Sequence, residues 1–289
     1  MADRVLGVLG TGPVDPDTPL LRVDDLGVLR GDGCFETLRV HDGVIEALDA
    51  HLARLRHSAA GLDLPAPQES RWRALIDEVV AAWAQPGEAV LRLVLTRGVE
   101  GTGVPTGFAT VSPLPDGIVR QRRDGVSVIT LDRGMPADAH RGTPWLLGGV
   151  KSLSYAVNMA ALRHARRVGA DDVIFVSGDG QVTEGPTSTV VWARSECLCT
   201  TPVSLGILAG TTVGTLFARA GAHGFATRVA GATVDDLHAA DEIWLVSSLR
   251  AAVRVSRLDG RERADAGLTA RVHAALGLTA PGRWVPGRG

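Results

Sequence analysis

The sequence predicts an α+β fold in two domains, on three observations. Its 289 residues, 45% of them hydrophobic, are enough to bury a substantial core, and that length favours two domains over one. Short apolar runs are joined by Asp-Gly and Gly-Asp-Gly turns, the signal of hairpins rather than of strand–helix–strand crossovers. Between two such regions the composition breaks at Pro113-Leu114-Pro115-Asp116-Gly117, followed by a basic run from Arg120 to Arg123. These signals give a smaller N-terminal α+β domain over 1–115, a linker over 116–123 and a larger C-terminal α+β domain over 124–289.

The opening thirty residues are rich in Gly, Pro and Asp and predict no regular element beyond a short ordered segment within 20–29. Phe35 to Val40, the turn His41-Asp42-Gly43, and Val44 to Leu48 read as a hairpin. Asp49 reads as the N-cap of a helix that carries Leu52, Leu55 and Ala59 on one face and ends near Gly61. A second helix over 70–84 spaces Trp72, Leu75, Val79 and Trp83 for a core. Strands follow over 89–96 and 108–112, around the glycine-rich loop Arg97 to Gly103. Past the linker come a strand over 126–131 and a helix opened by Ser152 or Ser154 and stopped by Gly169, with Lys151 at its mouth and Tyr155 one turn on. A hairpin over 172–183 leads to Glu184; strands over 189–193 and 197–200, a helix opened by Thr211 and Thr212, and strands over 225–229, 242–246 and 253–258 complete the pattern.

Charge and composition exclude several classes of function. A net charge of −2 with 21% charged residues offers nucleic acid no basic field. The basic run lacks interleaved aromatics and reads as a solvated linker. No signal-peptide pattern or apolar run of membrane-spanning length is present, so a soluble, cytoplasmic protein is expected. Cys34, Cys197 and Cys199 form no disulfide or zinc framework and read as small buried hydrophobes.

One stretch stands apart. Lys151, Tyr155 and Asn158 are the only lysine, tyrosine and asparagine in the chain, within eight residues of one another. Every other fixed cation is an arginine, which does not deprotonate and cannot act as an amine nucleophile. A position that keeps lysine against that background is a candidate for amine chemistry, such as a Schiff base to a carbonyl. Glu184 at a strand end, the helix start at Gly210-Thr211-Thr212, and the hydroxyls of Ser247 and Ser248 add a carboxylate and a phosphate cradle, because helix-start amides bind anions. Neither a P-loop nor a dinucleotide fingerprint is present, so a single phosphate fits better than a nucleotide.

These residues resemble the class IV aminotransferases, pyridoxal 5′-phosphate enzymes that include branched-chain and D-amino-acid aminotransferases and aminodeoxychorismate lyases. The matching stretches are Gly31-Asp32-Gly33-Cys34-Phe35-Glu36-Thr37, His51-Leu52-Ala53-Arg54-Leu55, Lys151 with Tyr155 and Asn158, Val182-Thr183-Glu184-Gly185, Gly206-Ile207-Leu208-Ala209-Gly210-Thr211-Thr212, and a tail from Asp241-Glu242 to Asp259-Gly260. They run in family order along most of the chain. The resemblance implies a two-domain fold-type IV architecture like that of D-amino-acid aminotransferase, a pyridoxal 5′-phosphate cofactor and a homodimer acting on a small-molecule substrate. It implies that Lys151 forms the Schiff base and moves the proton, that Glu184 pairs with the pyridine nitrogen, and that Tyr155 bonds the phenolate oxygen. Arg54, Thr211, Thr212 and Ser248 would then hold the phosphate. Two positions depart from the family pattern: Thr189 stands where it has asparagine, and Thr211 where it has isoleucine.

Within the family, Gly31 to Phe35 and Leu93 to Gly103 are most similar to the aminodeoxychorismate lyases, which implies release of pyruvate and 4-aminobenzoate, a folate precursor, from 4-amino-4-deoxychorismate. The D-amino-acid enzymes carry Arg-x-His shortly after the Arg-Gly that here is Arg97-Gly98, and this chain has none. Transamination of a D-amino acid or branched-chain amino acid is the rival reading. A cofactor-binding interaction protein is the contrasting class, and the retained lysine argues against it. Arg30 and Arg97 are candidate partners for substrate carboxylates.

Overall fold

A computed structural model describes residues 4–279 and 283–284. The chain divides into two compact units: residues 1–114 with 150–155, and residues 115–149 with 156–289. The break after Leu114 falls where the composition changes, but two details differ from expectation. Residues 116–123 are not a linker; Asp116–Asp124 is a helix of the second unit, in which Arg122 is buried and donates to the Leu249 carbonyl. The segment carrying Lys151 belongs to the first unit, although it follows the second unit's opening in sequence.

The first unit is one antiparallel sheet covered by two helices. Its elements are β1 (Val5–Val8), β2 (Gly12–Val14), α1 (Leu26–Arg30), β3 (Gly33–His41), β4 (Val44–Ile45), α2 (Leu48–Gly61), α3 (Glu69–Ala82), β5 (Glu88–Thr96) and β6 (Thr106–Pro113), with strand order β2-β1-β6-β5-β3-β4. The first two strands lie where the sequence predicted no regular element, because three- and four-residue strands rich in glycine and proline carry no usable periodicity. In the β3–β5 register Cys34 faces Leu95, Glu36 faces Leu93, Leu38 faces Leu91 and Val40 faces Ala89. Alternation puts all of these on one face. There the apolar ones join the buried core with Leu52, Leu55 and Ala59 of α2 and Trp72, Leu75, Ile76 and Val79 of α3. Glu36 is therefore a carboxylate in the row of a strand that feeds the core. Asp49 is not the cap of α2: Ala47 occupies that position with φ +51°, and Asp49 sits in the first turn, where its charge complements the helix dipole.

The second unit is a mixed sheet built from α4 (Asp116–Asp124), β7 (Val126–Asp132), α5 (Ala156–Arg167), β8 (Asp172–Val176), β9 (Glu184–Gly185), β10 (Ser188–Arg194), β11 (Cys197–Thr200), α6 (Thr211–Arg219), β12 (Ala226–Val229), α7 (Val234–His238), β13 (Glu242–Ser247), β14 (Ala251–Leu258), β15 (Arg261–Glu262) and α8 (Thr269–Ala275). The strand order is β12-β11-β10-β13-β14-β7-β8, with β9 against β10 and β15 against β14. Three pairs, β11/β12, β14/β7 and β7/β8, are parallel, so hairpins alone do not describe this half. Residues 188–193 of β10 and 242–246 of β13 are buried without alternation, since both faces of the sheet are covered. One face packs Val191, Trp244 and Val246 with Leu216 of α6 and Val272 of α8; the other gathers Val190, Trp192, Ile243, Leu245 and Val253 with Leu237 of α7.

Candidate active site

The first unit holds the lysine in an extended segment rather than at a helix mouth. Helix α5 begins at Ala156, after Tyr155, so 150–155 runs free of the helix and pairs with the start of β3. Phe35 N–H donates to the Lys151 carbonyl at 3.1 Å, Leu153 N–H to the Gly33 carbonyl at 2.8 Å, and Lys151 N–H to Ser58 Oγ at 3.1 Å. The lysine backbone is thereby pinned on both sides, leaving the side chain to be aimed by its neighbours. Its Nζ lies 4.5 Å from the centre of the Phe35 ring and 3.3 Å from the Tyr155 hydroxyl. The two rings meet edge to face, 5.1 Å apart at 78°. An amine so placed rests on an aromatic wall with one hydroxyl in reach.

Arg54 belongs to a buried cluster that the sequence only half reveals. Its Nε and Nη2 each donate at 2.7 Å to the two oxygens of Glu36, and His51 Nδ1 lies 2.7 Å from Glu36 Oε2. Glu36 is wholly buried, and burial alone would raise its carboxyl; the hydrogen bonds and charges of Arg54 and His51 outweigh it and hold the group at about 2. His51 and Arg54 are three residues apart on α2, so one helix face delivers both donors to the single acid on β3. The bidentate pair fixes the guanidinium plane.

Arg97 is occupied structurally. Nε and Nη2 bind Asp32 at 2.6 and 3.2 Å, and Nη2 also reaches the Leu62 carbonyl at 2.5 Å, tying the end of α2 to the turn before β3. Arg30, at the end of α1, is exposed. Gly31 follows it at φ +68°, a left-handed cap that glycine adopts without strain.

The second unit brings four sequence-predicted groups to strand ends and helix starts. Glu184, in β9, accepts the Leu208 N–H on Oε2 at 3.1 Å, while Arg133 Nη1 lies 3.6 Å from Oε1. Asn158, the residue left without a role by the sequence, donates to the Pro186 carbonyl at 2.8 Å and so secures the turn directly after Glu184. At the start of α6 Gly210 has no side chain with which to cap, and Thr212 Oγ1 lies 3.5 Å from Ser248 Oγ, bringing two hydroxyls to one helix N-terminus. A Cβ at Gly210 would come within 2.6 Å of Thr189 Oγ1, so the helix start is packed directly on the residue that departs from the family pattern. Arg250 supports this end of the sheet: it pairs with buried Asp172 and reaches Thr187 Oγ1 at 3.2 Å.

Arg133 and Ser58 lie outside every stretch that carries the resemblance, and nothing in their local spacing marks them; Arg250 and Leu208 lie inside such stretches, but Arg250 is matched to Asp172 and the Leu208 amide to Glu184 only by the fold. His51 and Glu36 stand inside the quoted stretches, but what joins them to Arg54 is the packing of α2 on β3, which no spacing along the chain displays.

The chain has the architecture of a fold-type IV enzyme. From residue 33 to residue 258 it matches the profile of the family described as Amino-transferase class IV, and it belongs to that family. It is 50% identical over 257 residues, 86% of this chain and 89% of the other, to the bifunctional aminodeoxychorismate lyase / D-amino acid transaminase of Mycobacterium tuberculosis. Among solved structures it resembles a hypothetical aminotransferase from M. tuberculosis in a PLP-bound form, with TM-score 0.90, 48% identity and coverage of 94% of this chain and 98% of that one. The fold IV-transaminase CpuTA1 from Curtobacterium pusillum gives TM-score 0.91 at 44% identity, covering 96% and 100%.

Proposed function

We propose that this protein is a pyridoxal 5′-phosphate-dependent 4-amino-4-deoxychorismate lyase that releases pyruvate and 4-aminobenzoate. The observation that carries the amine chemistry is the setting of Lys151, whose Nζ is held against Phe35 and 3.3 Å from the Tyr155 hydroxyl. The choice of reaction is supported by the 50% identity to a relative bearing the lyase name.

The donor set fits the cofactor. A primary amine suits a carbonyl, a carboxylate steadied by a backbone amide suits a pyridinium, and a glycine-started helix with two hydroxyls suits a phosphate. In this reading Lys151 would bond the carbonyl carbon, Tyr155 would donate to the phenolate oxygen, Glu184 would accept from the ring nitrogen, and Arg54, Thr211, Thr212 and Ser248 would hold the phosphate. Bound there, pyridoxal 5′-phosphate supplies a carbonyl that the substrate amine can occupy and a ring that withdraws electrons from the amine-bearing carbon.

The chain's own groups then move protons. Lys151 Nζ takes the proton from the amine-bearing ring carbon of the substrate. The electrons of that C–H bond enter the ring as the C–O bond to the enolpyruvyl group breaks, and the ring becomes aromatic. Lys151 returns the proton to the methylene carbon of the departing enolpyruvate, completing pyruvate, and 4-aminobenzoate is the second product. Tyr155 and the Phe35 ring keep the amine in line for both transfers, so positioning supplies much of the rate.

Transamination of D-amino acids is a second activity of the same residues, favoured by the second half of that relative's printed name. Incubating the purified protein and cofactor with 4-amino-4-deoxychorismate, and separately with D-alanine and 2-oxoglutarate, tests both. Equal amounts of pyruvate and 4-aminobenzoate are expected from the first mixture; a cofactor-loaded protein that yields neither would overturn the lyase assignment.

A further inference from the structure

We propose that Arg133 is a positioning residue for Glu184: its guanidinium, 3.6 Å from Glu184 Oε1, keeps that side chain a carboxylate and so keeps the proton it shares on the pyridine nitrogen of the cofactor. The proposal rests on the assignment of Glu184 to that nitrogen and adds a residue outside every stretch that carries the family resemblance.

Arg133 is held at both ends. It follows directly on β7, and its N–H donates to the Val176 carbonyl at 2.8 Å, extending the β7/β8 pairing by one residue. Its guanidinium lies 5.1 Å from the centre of the Phe175 ring, a buried side chain of β8, so a cation–π contact fixes the head group. Glu184 is reached from two directions, with the Leu208 amide on one oxygen and Arg133 beside the other. At 3.6 Å the arginine acts on the acid by charge rather than through a direct hydrogen bond. His140 lines the same cavity as Arg133, and burial, with the arginine's charge, pushes it below its ordinary value; it is neutral at pH 7 and does not compete as a cation.

The effect on Glu184 has a definite sign. Coulomb interaction falls with distance, so a cation touching a carboxylate lowers the proton affinity of that carboxylate more than that of the group it hydrogen-bonds. With Arg133 in place the proton stays on the partner; without it the proton moves toward Glu184. A carboxylate that has taken the proton no longer deepens the electron sink.

The test uses holoenzyme reconstituted with cofactor labelled with ¹⁵N in the ring, comparing wild type with Arg133→Met, Arg133→Gln and Arg133→Lys. The wild type and the lysine variant are expected to show a pyridinium-like ¹⁵N shift. The methionine and glutamine variants are expected to move toward neutral pyridine, with turnover lower by about tenfold, the equivalent of one pKa unit. A purely structural role would lower the melting temperature of both variants and leave the ¹⁵N shift in place, and that result overturns the proposal. If Glu184→Gln also leaves the wild-type shift unchanged, the assignment of Glu184 itself fails, a signature distinct from failure at Arg133 alone.

Discussion

The Lys151 amine and the Tyr155 hydroxyl lie 3.3 Å apart, on a segment whose backbone is clamped by Ser58 and Phe35. Because Lys151 enters that clamp only through its main-chain N–H and carbonyl, side-chain substitutions at Lys151 leave it intact. Lys151→Ala and Lys151→Arg are both expected to fold as the wild type does and to lose turnover, since a guanidinium stays protonated. Tyr155→Phe keeps the edge-to-face contact with Phe35 and loses one hydrogen bond to a charged group, which is expected to lower kcat by about tenfold or more. Steady-state kinetics beside thermal melts check all three, and full turnover in Lys151→Arg would rule the amine out.

Glu36 makes the first unit acid-sensitive. Its folded value of about 2 lies below the ordinary 4.5, so its contribution is full above about pH 4.5 and drains away as the pH falls toward about 2. The linked stability is about 3 kcal/mol. Denaturant melts between pH 5 and pH 2.5 should show the wild type losing stability faster than Glu36→Gln, which has no such proton to bind. Parallel curves would mean the acid is not held as described.

Arg54→Ala removes the main partner of that buried acid. An uncompensated buried charge costs about 3–5 kcal/mol, so the variant should be destabilised as well as poor in cofactor binding. Arg54→Lys cannot reproduce the two-pronged contact and is expected to fall between the two. Equilibrium unfolding of the apoprotein separates the stability loss from the binding loss.

Gly210→Ala places a methyl group 2.6 Å from Thr189 Oγ1 at the start of α6. Overpacking of this kind costs about 1–3 kcal/mol, and the expected result is cofactor affinity weakened by tenfold or more. Adding Thr189→Ala should recover most of the loss, because it removes the atom that is struck. A double variant no better than the single one would show that the clash is not the cause.

Asn158 holds the Pro186 carbonyl next to Glu184. Asn158→Ala forfeits one hydrogen bond, about 1 kcal/mol, whereas Asn158→Asp sets a carboxylate against a carbonyl oxygen and should be worse in both melting temperature and cofactor affinity. The order of the two variants is the test.

Legibility in the sequence followed how local each signal is. The β3–β4 hairpin, the apolar faces of α2 and α3 and the start of α6 were readable because turn residues and periodicity act within a few positions. Lys151 stood out by residue choice alone, and Glu184 and Thr212 by their place at a strand end and a helix start. The Glu36–His51–Arg54 cluster needed the pairing of β3 with α2, which no spacing along the chain displays. Arg133 and Arg250 reach their partners across about 50 and 80 residues of chain, by way of the parallel strand β8 and the turn before β14. Serine capping of α5 failed because residues 152–154 pair with β3 instead, a tertiary contact that outweighs local propensity. The basic run at 120–123 looked like solvated linker because the acceptor that makes Arg122 a buried donor is the carbonyl of Leu249.

The central claim is that Lys151 is the amine that bonds the cofactor, and one property of the chain makes it directly measurable. With a single lysine in 289 residues, borohydride reduction of the holoenzyme followed by peptide mass analysis has one side-chain amine to find. The expected result is a cofactor-mass adduct on the peptide containing Lys151, formed in step with loss of turnover. An unmodified Lys151 in protein whose turnover has been abolished by the reduction would contradict the account.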